Sequence, residues 1–190
     1  QRSKMRYGID ASNLRSGGGL NHLLRLLEYY RQSQGDDDHI VLWGSSALCE
    51  RIPPREWITV TVVPELDAGP LKRLSWQMLR LPKLSSGACD VLFVPGGLIG
   101  NHHVPTVVMC RNMLPFELSE ARRYGVSYML ARLLFLRVLQ AHAFRRADGV
   151  VFLSDYARDR VVAQIGSLPG RTALIAHGVE QRFRCEPRTQ

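Results

Sequence analysis

Lysine is almost missing from this chain of 190 residues: of its 25 basic residues, all but Lys4, Lys72 and Lys83 are arginine. Long apolar runs are missing too. The longest candidate is interrupted by Arg132 and Arg137, short of the roughly 20 residues a membrane-spanning helix needs. No signal peptide leads the chain, so a soluble, cytoplasmic protein is expected. Cysteine is sparse and scattered. Cys49, Cys89, Cys110 and Cys185 form no C-x-x-C pair and have no histidines at zinc-ligand spacing, which fits free thiols in a reducing compartment. G-x-G-x-x-G and G-x-x-x-x-G-K-[ST] are absent, which removes support for the standard dinucleotide and P-loop readings. Helix-turn-helix, RNP and zinc-finger patterns are absent as well, and no nucleic-acid partner is expected.

What is present suits one substantial core. The chain is 45% hydrophobic, and its length is that of a single domain. A net charge of +8 calls for an anionic partner, and a nucleoside diphosphate, an acidic lipid or a nucleic acid would each satisfy it. The arginine excess is discounted, because genome composition produces the same bias. Gln1 to Lys4 precede Met5, a natural start, and are expected to be a remnant of expression.

The chain is organised around Gly8 to Leu24. Arg6 to Asp10 is short and extended, Gly17, Gly18 and Gly19 follow as a loop, and Leu23, Leu24, Leu26, Leu27 and Tyr30 give Leu20 to Gln32 the stripe of a helix packed on a sheet. Such a junction aims unpaired N–H groups and the positive end of a helix dipole at whatever lies above it, a place for a diphosphate or a sugar hydroxyl. The same three glycines also make an ordinary flexible turn.

Beyond an acidic turn at Gly35 to Asp38 the alternation continues. Strands are expected at His39 to Trp43, Trp57 to Val63, Asp90 to Pro95, Val104 to Cys110, Gly149 to Leu153 and Arg171 to Ala176. Helices are expected at Ser45 to Arg51, Leu71 to Leu84, Pro115 to Arg146 with a break near Tyr124-Gly125, and Ser154 to Ile165. This is the pattern of an α/β, doubly wound, mostly parallel sheet with helices on both faces, its ligands at the carboxyl ends of the strands. The glycine loop, Pro95 to His103, Arg111 to Glu117, Ser154-Asp155 and His177 to Glu180 all fall at such ends.

Five segments in order carry a resemblance: G-I-D-x-x-x-L-x-x-G-G-G from Gly8, D-V-L-F-V-P from Asp90, R-N-M-L-P-F-E from Arg111, A-D-G-V-V-F-L-S-D-Y-A from Ala147 and R-T-A-L-I-A-H-G-V-E-x-R-F from Arg171. From Gly8 to Phe183 the chain resembles the amino-terminal half of a family 4 retaining glycosyltransferase of GT-B architecture. The resemblance implies a Rossmann-like, acceptor-side domain over residues 5–183, the start of an interdomain linker at 184–190, and a carboxyl-terminal donor domain without counterpart here. It also implies transfer of a hexose from a nucleotide diphosphate sugar to a glycan or lipid-linked glycan, no metal or cofactor, and no turnover by this stretch alone.

Carried over by position, Gly17, Gly18 and Gly19 match the loop that approaches donor diphosphate and acceptor, where preorganised backbone donors stabilise the charge developing on a departing diphosphate. Arg111 and Asn112 fall where many members have a His-Asp pair. Arg111 suits a phosphate, an acceptor carboxylate or a structural salt bridge, but stays protonated and cannot be a general base. Asn112 suits a ligand or its own loop backbone. Glu117 suits an acceptor contact or a helix-start charge, and Ser154 an N-cap with or without a ligand above it. His177 with Gly178 matches the turn into the linker, as a substrate contact or a brace. His22 lies one turn into the helix and faces the crevice or packs beneath it.

Adjacent His102 and His103 without a nearby third ligand read as a polar loop tip rather than a metal site. In Leu71 to Leu84 the positions Leu71, Leu74, Met78 and Leu81 are expected to share a face near Trp76, flanked by Lys72, Arg73, Arg80 and Lys83. This basic amphipathic shape suits peripheral contact with an anionic inner-membrane surface or packing on its own sheet. A stand-alone α/β nucleotide- or sugar-binding module without catalysis is the competing reading of the whole chain.

Overall fold

The computed structural model describes residues 4–33 and 38–178. Gln1 to Ser3 of the expected Gln1 to Lys4 remnant, most of the Gly35 to Asp38 turn, Cys185, the linker and the end of the last motif lie outside them.

Seven parallel strands form one sheet in the order β3-β2-β1-β4-β5-β6-β7. They are β1 (Arg6–Asp10), β2 (His39–Gly44), β3 (Ile58–Val62), β4 (Val91–Val94), β5 (Thr106–Cys110), β6 (Gly149–Phe152) and β7 (Arg171–Leu174). β1 sits centrally, with Gly8 opposite Val41 on one side and Leu92 on the other. The order reverses between β1 and β4. Right-handed crossovers on either side of a reversal place their helices on opposite faces and leave a crevice at the carboxyl ends of the two strands.

The core divides as that rule requires. On one face α1 (Gly17–Ser33) and α2 (Ser46–Cys49) bury Leu20, Leu23, Leu27 and Leu48 against Ile9, Ile40 and Leu42. On the other, Trp76, Leu81, Phe144 and Val161 close over Leu92, Val94, Val108 and Phe152. The period-2 alternation of the strands sends successive side chains to the two faces.

Four local expectations are corrected. First, α1 begins at Gly17 rather than Leu20, so the three glycines are its first turn and not a preceding loop. Glycine costs about 1 kcal/mol per helical position relative to alanine, and the seating of Leu20, Leu23 and Leu27 offsets it.

Second, the Leu71 to Leu84 stretch is not one regular amphipathic helix. It runs as α3 (Pro70–Ser75), a π-helical segment (Trp76–Arg80) and α4 (Leu81–Ala88). A π turn holds one residue more than an α turn and rotates everything after it. Trp76, Gln77 and Leu81 therefore point into the core, Leu74 and Met78 are half-buried, and Leu71 stands in solvent, off the face it was expected to share with them.

Third, residues 95–105 join β4 to β5 without a helix and cross from the carboxyl edge of the sheet to its amino edge. His102 consequently sits at the far edge from the crevice. It is tucked in rather than at a loop tip, its Nε2 3.4 Å from Asp148 Oδ2, while His103 is exposed. Gly100 passes so close to the π segment that a Cβ there would lie 2.8 Å from the Met78 carbonyl oxygen.

Fourth, the long helical region after Pro115 is three pieces: a 3-10 turn (Leu114–Phe116), α5 (Leu118–Arg122) and α6 (Tyr128–Arg146). The expected break near Gly125 is real, with Gly125 at φ 59°. α7 (Asp155–Ile165) follows β6. Among the described residues no helix is long and apolar enough to cross a membrane.

Candidate active site

Four residues expected at the site meet above the carboxyl edge of the sheet. α1 supplies Gly19 and His22, the end of β5 supplies Arg111, and the segment after β7 supplies His177. Arg111 lies across the first turn of α1, where a Cβ on Gly19 would sit 2.8 Å from its Cζ and overlap Nη1. Only glycine leaves room for the guanidinium there. The His22 and His177 rings meet edge to face with centroids 4.8 Å apart.

The cluster is positive and lacks a counter-charge. No carboxylate among the described residues pairs with Arg111, His22 or His177. Arg111 Nε and His22 Nε2 are both closed off from solvent without a hydrogen-bond partner. Burial holds the Arg111 pKa below its ordinary value. Burial first, then His177 and Arg111, hold that of His22 down, keeping its imidazole neutral. The N–H groups of the first α1 turn add further donors without intrahelical partners beside this cluster. Gly17, at φ 69°, and Gly18 border open space in which a ligand can lie.

Residues 16–183 match the family described as Glycosyltransferase Family 4. The chain belongs to glycosyltransferase family 4. A search of curated proteins returns no match. Family 4 membership makes this a domain of the glycosyltransferase type, built for sugar donor and acceptor substrates, on a Rossmann-like α/β fold.

Of the remaining expected site residues of this family 4 domain, Asn112, Glu117 and Ser154 bond to other parts of the protein. Asn112 turns back on its own loop, its Oδ1 accepting from the Leu114 backbone N–H at 3.1 Å. Glu117 braces the 3-10 turn against α7: its carboxylate accepts from Tyr156 Oη at 2.5 Å and from Arg160 at 2.7 and 3.2 Å. Those donors hold the Glu117 pKa below the usual carboxylate range. Ser154 caps α7, its Oγ accepting from Ala157 N–H at 3.2 Å. Gly178 borders open space. Among the described residues no cluster of three histidine, cysteine, aspartate or glutamate side chains is placed to hold a metal ion. Cys49, Cys89 and Cys110 are free and buried, the Cys110 thiol pushed up to about 12 by burial alone.

One buried network at the end of β1 escapes sequence reasoning. Asp10, at the end of β1, is 1% exposed. Its Oδ2 accepts from Gln77 Nε2 at 2.5 Å and its Oδ1 from Ser12 N–H at 2.9 Å, while Gln77 Oε1 accepts from Asn13 Nδ2 at 3.1 Å. This network ties the β1–α1 loop to the π segment and floors the crevice between β1 and β4. Burial raises the Asp10 pKa, and the Ser12 and Gln77 hydrogen bonds oppose the shift. An aspartate closing a strand before Ala11-Ser12-Asn13 is a turn signal that could have been read. Nothing in the sequence marks Gln77, because the π turn that swings it inward has no local signature.

Proposed function

We propose that this domain is the acceptor-side half of a retaining glycosyltransferase that moves a hexose from a nucleotide diphosphate sugar to a glycan or lipid-linked glycan, working in the cytoplasm or at the inner membrane face. A second, donor-binding domain completes the active site across the crevice. The observation that carries this reading is the cluster of Arg111, His22 and His177 over Gly19, positive and without a carboxylate.

In this reading Arg111 and the first turn of α1 bind the diphosphate and stabilise the charge that grows on it as the sugar leaves. Arg111 acts electrostatically and not as a base, since a guanidinium does not surrender its proton. His22, held neutral in the free protein, gains a proton as the anion arrives. Gly17, Gly18 and Gly178 leave space for donor and acceptor. Asp10 and Gln77 position the loop and touch no substrate.

Calorimetry of this chain against a panel of nucleotide diphosphate sugars, followed by transfer assays on the two-domain polypeptide, tests the proposal. Weak binding that Arg111→Ala abolishes, with turnover only in the longer polypeptide, supports it. Tight binding by this domain without transfer in either form favours a stand-alone nucleotide- or sugar-binding module. No binding and no transfer reject the transferase reading.

A further inference from the structure

The segment that descends from the end of β3 to the start of β4 carries Arg73 over the β1–α1 loop. α3 leaves the carboxyl edge of the sheet, and α4 ends at the amino edge. Gln77, on the π turn between them, donates to Asp10 and accepts from Asn13 of the loop. Arg73 stands four residues before Gln77, and residues at that spacing share a helix face. It therefore lies one turn nearer the carboxyl edge, toward the stretch of loop beyond Asn13 where Arg15 is exposed.

These two arginines have no counter-charge in ion-pair contact among the described residues. Arg73 is half-buried, and its Nε is closed off from solvent without a hydrogen-bond partner. Burial first, and then Arg15, hold the Arg73 pKa below its ordinary value, so the two guanidinium groups are near enough to repel. The acids around them are engaged otherwise. Asp10 accepts from Gln77 and from the Ser12 N–H, and Glu65 is paired with Arg80. Asp67 accepts from Ser46 Oγ at 2.5 Å and from the Ser46 N–H at 3.2 Å, and these bonds, with a lesser pull from Arg15, hold its pKa down.

A neutral sugar hydroxyl offers such a pair nothing to neutralise it, whereas the planar forks of two guanidinium groups match a phosphate or a carboxylate. The place is separate from the cluster around Arg111, which meets the same junction further along, at Gly19. Gly17 and Gly18 border open space between the two. We propose that Arg15 and Arg73 form a second anion subsite, which holds a phosphate or carboxylate carried by the acceptor and so selects an acidic sugar over a neutral one. That this anion belongs to the acceptor rests on the transferase reading. Two fixed cationic points on one loop then orient the two substrates against each other, Arg111 the donor by its diphosphate and Arg15 with Arg73 the acceptor by its charged group.

Calorimetry of the full chain against glucose, glucose 6-phosphate, glucuronate and a panel of nucleotide diphosphate sugars tests it, at about 0.15 M ionic strength, where charges more than roughly 8 Å apart are screened. Glucose 6-phosphate or glucuronate is expected to bind, the tighter of the two naming the group, and glucose is not. Arg15→Gln and Arg73→Gln should each weaken that binding by about tenfold or more, the scale of one charge-assisted hydrogen bond. Arg111→Ala should spare it, as should Arg146→Gln with Arg171→Gln, which removes two exposed charges at the amino edge. Circular dichroism checks the fold, and exposed Arg15 carries the test should Arg73→Gln fail to fold. The subsite is overturned if neither acidic sugar binds, if glucose binds equally well, or if binding ignores Arg15→Gln and Arg73→Gln and falls instead with Arg111→Ala. Donor binding reports on the transferase reading separately. Nucleotide sugar bound without either acidic sugar overturns the subsite alone, while acidic sugar bound through Arg15 and Arg73 without nucleotide sugar upholds the subsite and overturns its assignment to an acceptor.

Discussion

The Arg111 guanidinium fills the volume that a side chain at Gly19 would occupy. That contact joins the end of β5 to the first turn of α1 and sets a fixed charge beside unpaired helix N–H groups. The glycine's role here is steric: it admits the arginine. Gly19→Ala is therefore expected to fold, since the guanidinium is the free end of a flexible side chain, yet to lose about tenfold or more in affinity for a nucleotide diphosphate sugar, the scale of one charge-assisted hydrogen bond. Gly87→Ala, in α4 with open space around it and away from the cluster, should bind as the parent does and melt slightly higher. Calorimetry and thermal melts on the two variants check this.

Anion affinity should rise as pH falls. Burial holds the His22 pKa below its ordinary value of about 6.5. Between that depressed value and 6.5 the unfolded chain binds more protons than the folded one, so His22's contribution to stability is present above pH 6.5 and lost as pH falls through the folded value. A bound anion supplies the missing counter-charge and draws a proton onto the ring. Affinity for a nucleotide diphosphate sugar, whose diphosphate does not titrate in this range, should increase between pH 7.5 and about 5.5. His22→Gln should flatten the profile.

Gln77→Leu removes the side-chain donor from a buried carboxylate. The expected cost is about 1–3 kcal/mol, a drop of roughly 2–4 °C in Tm for each kcal/mol. The pH dependence identifies the cause. Because burial raises the Asp10 pKa, the folded chain binds more protons than the unfolded chain between about pH 4 and the folded value, and stability declines as pH rises through that window. Loss of Gln77 raises the pKa further, so melts of Gln77→Leu across pH 4 to 7 should show the decline reaching higher pH than in the parent.

Ser154→Ala should cost about 1 kcal/mol, the usual price of a lost N-cap, and Ser154→Asp should restore it. Ser154→Ala should leave anion affinity unchanged, because the Ser154 oxygen accepts from the Ala157 N–H. A loss of binding in Ser154→Ala at unchanged Tm would instead place that hydroxyl against the ligand.

Glu117→Gln should loosen α7, since Tyr156 and Arg160 both donate to this carboxylate. Faster hydrogen exchange across Asp155–Ile165, with unchanged nucleotide-sugar binding, is the expected result. Weakened binding without altered exchange would return Glu117 to the substrate site.

The alternation of strand and helix was legible because its signals are local. The β-branched runs at Ile58–Val62 and Gly149–Phe152, the Ser154 cap and the break at Gly125 each depend on a few neighbouring residues. Alternation forces a parallel sheet, and a parallel sheet sends Gly19, His22, Arg111 and His177 to one edge, so the neighbourhood of the site was legible too. The roles of Asn112, Glu117 and Ser154 were left open in the sequence for a physical reason: a polar side chain at a loop or helix start serves the backbone and a ligand equally well until its partner is known.

The sequence by itself determined the order of elements, the sheet they must form and the edge at which its loops gather, since hydrophobic period and turn chemistry act over a few residues. Tertiary structure alone decided which side chains touch. It laid Arg111 across Gly19, set His177 on His22 and joined Gln77 to Asp10 across 67 positions. It also decided which apolar face stays outside, burying Trp76 through one π turn and leaving Phe135 in solvent. Such contacts depend on the twist of the sheet, the seating of each helix and a one-residue change of helical phase, quantities that sum over the whole fold and leave no mark in any short stretch of sequence.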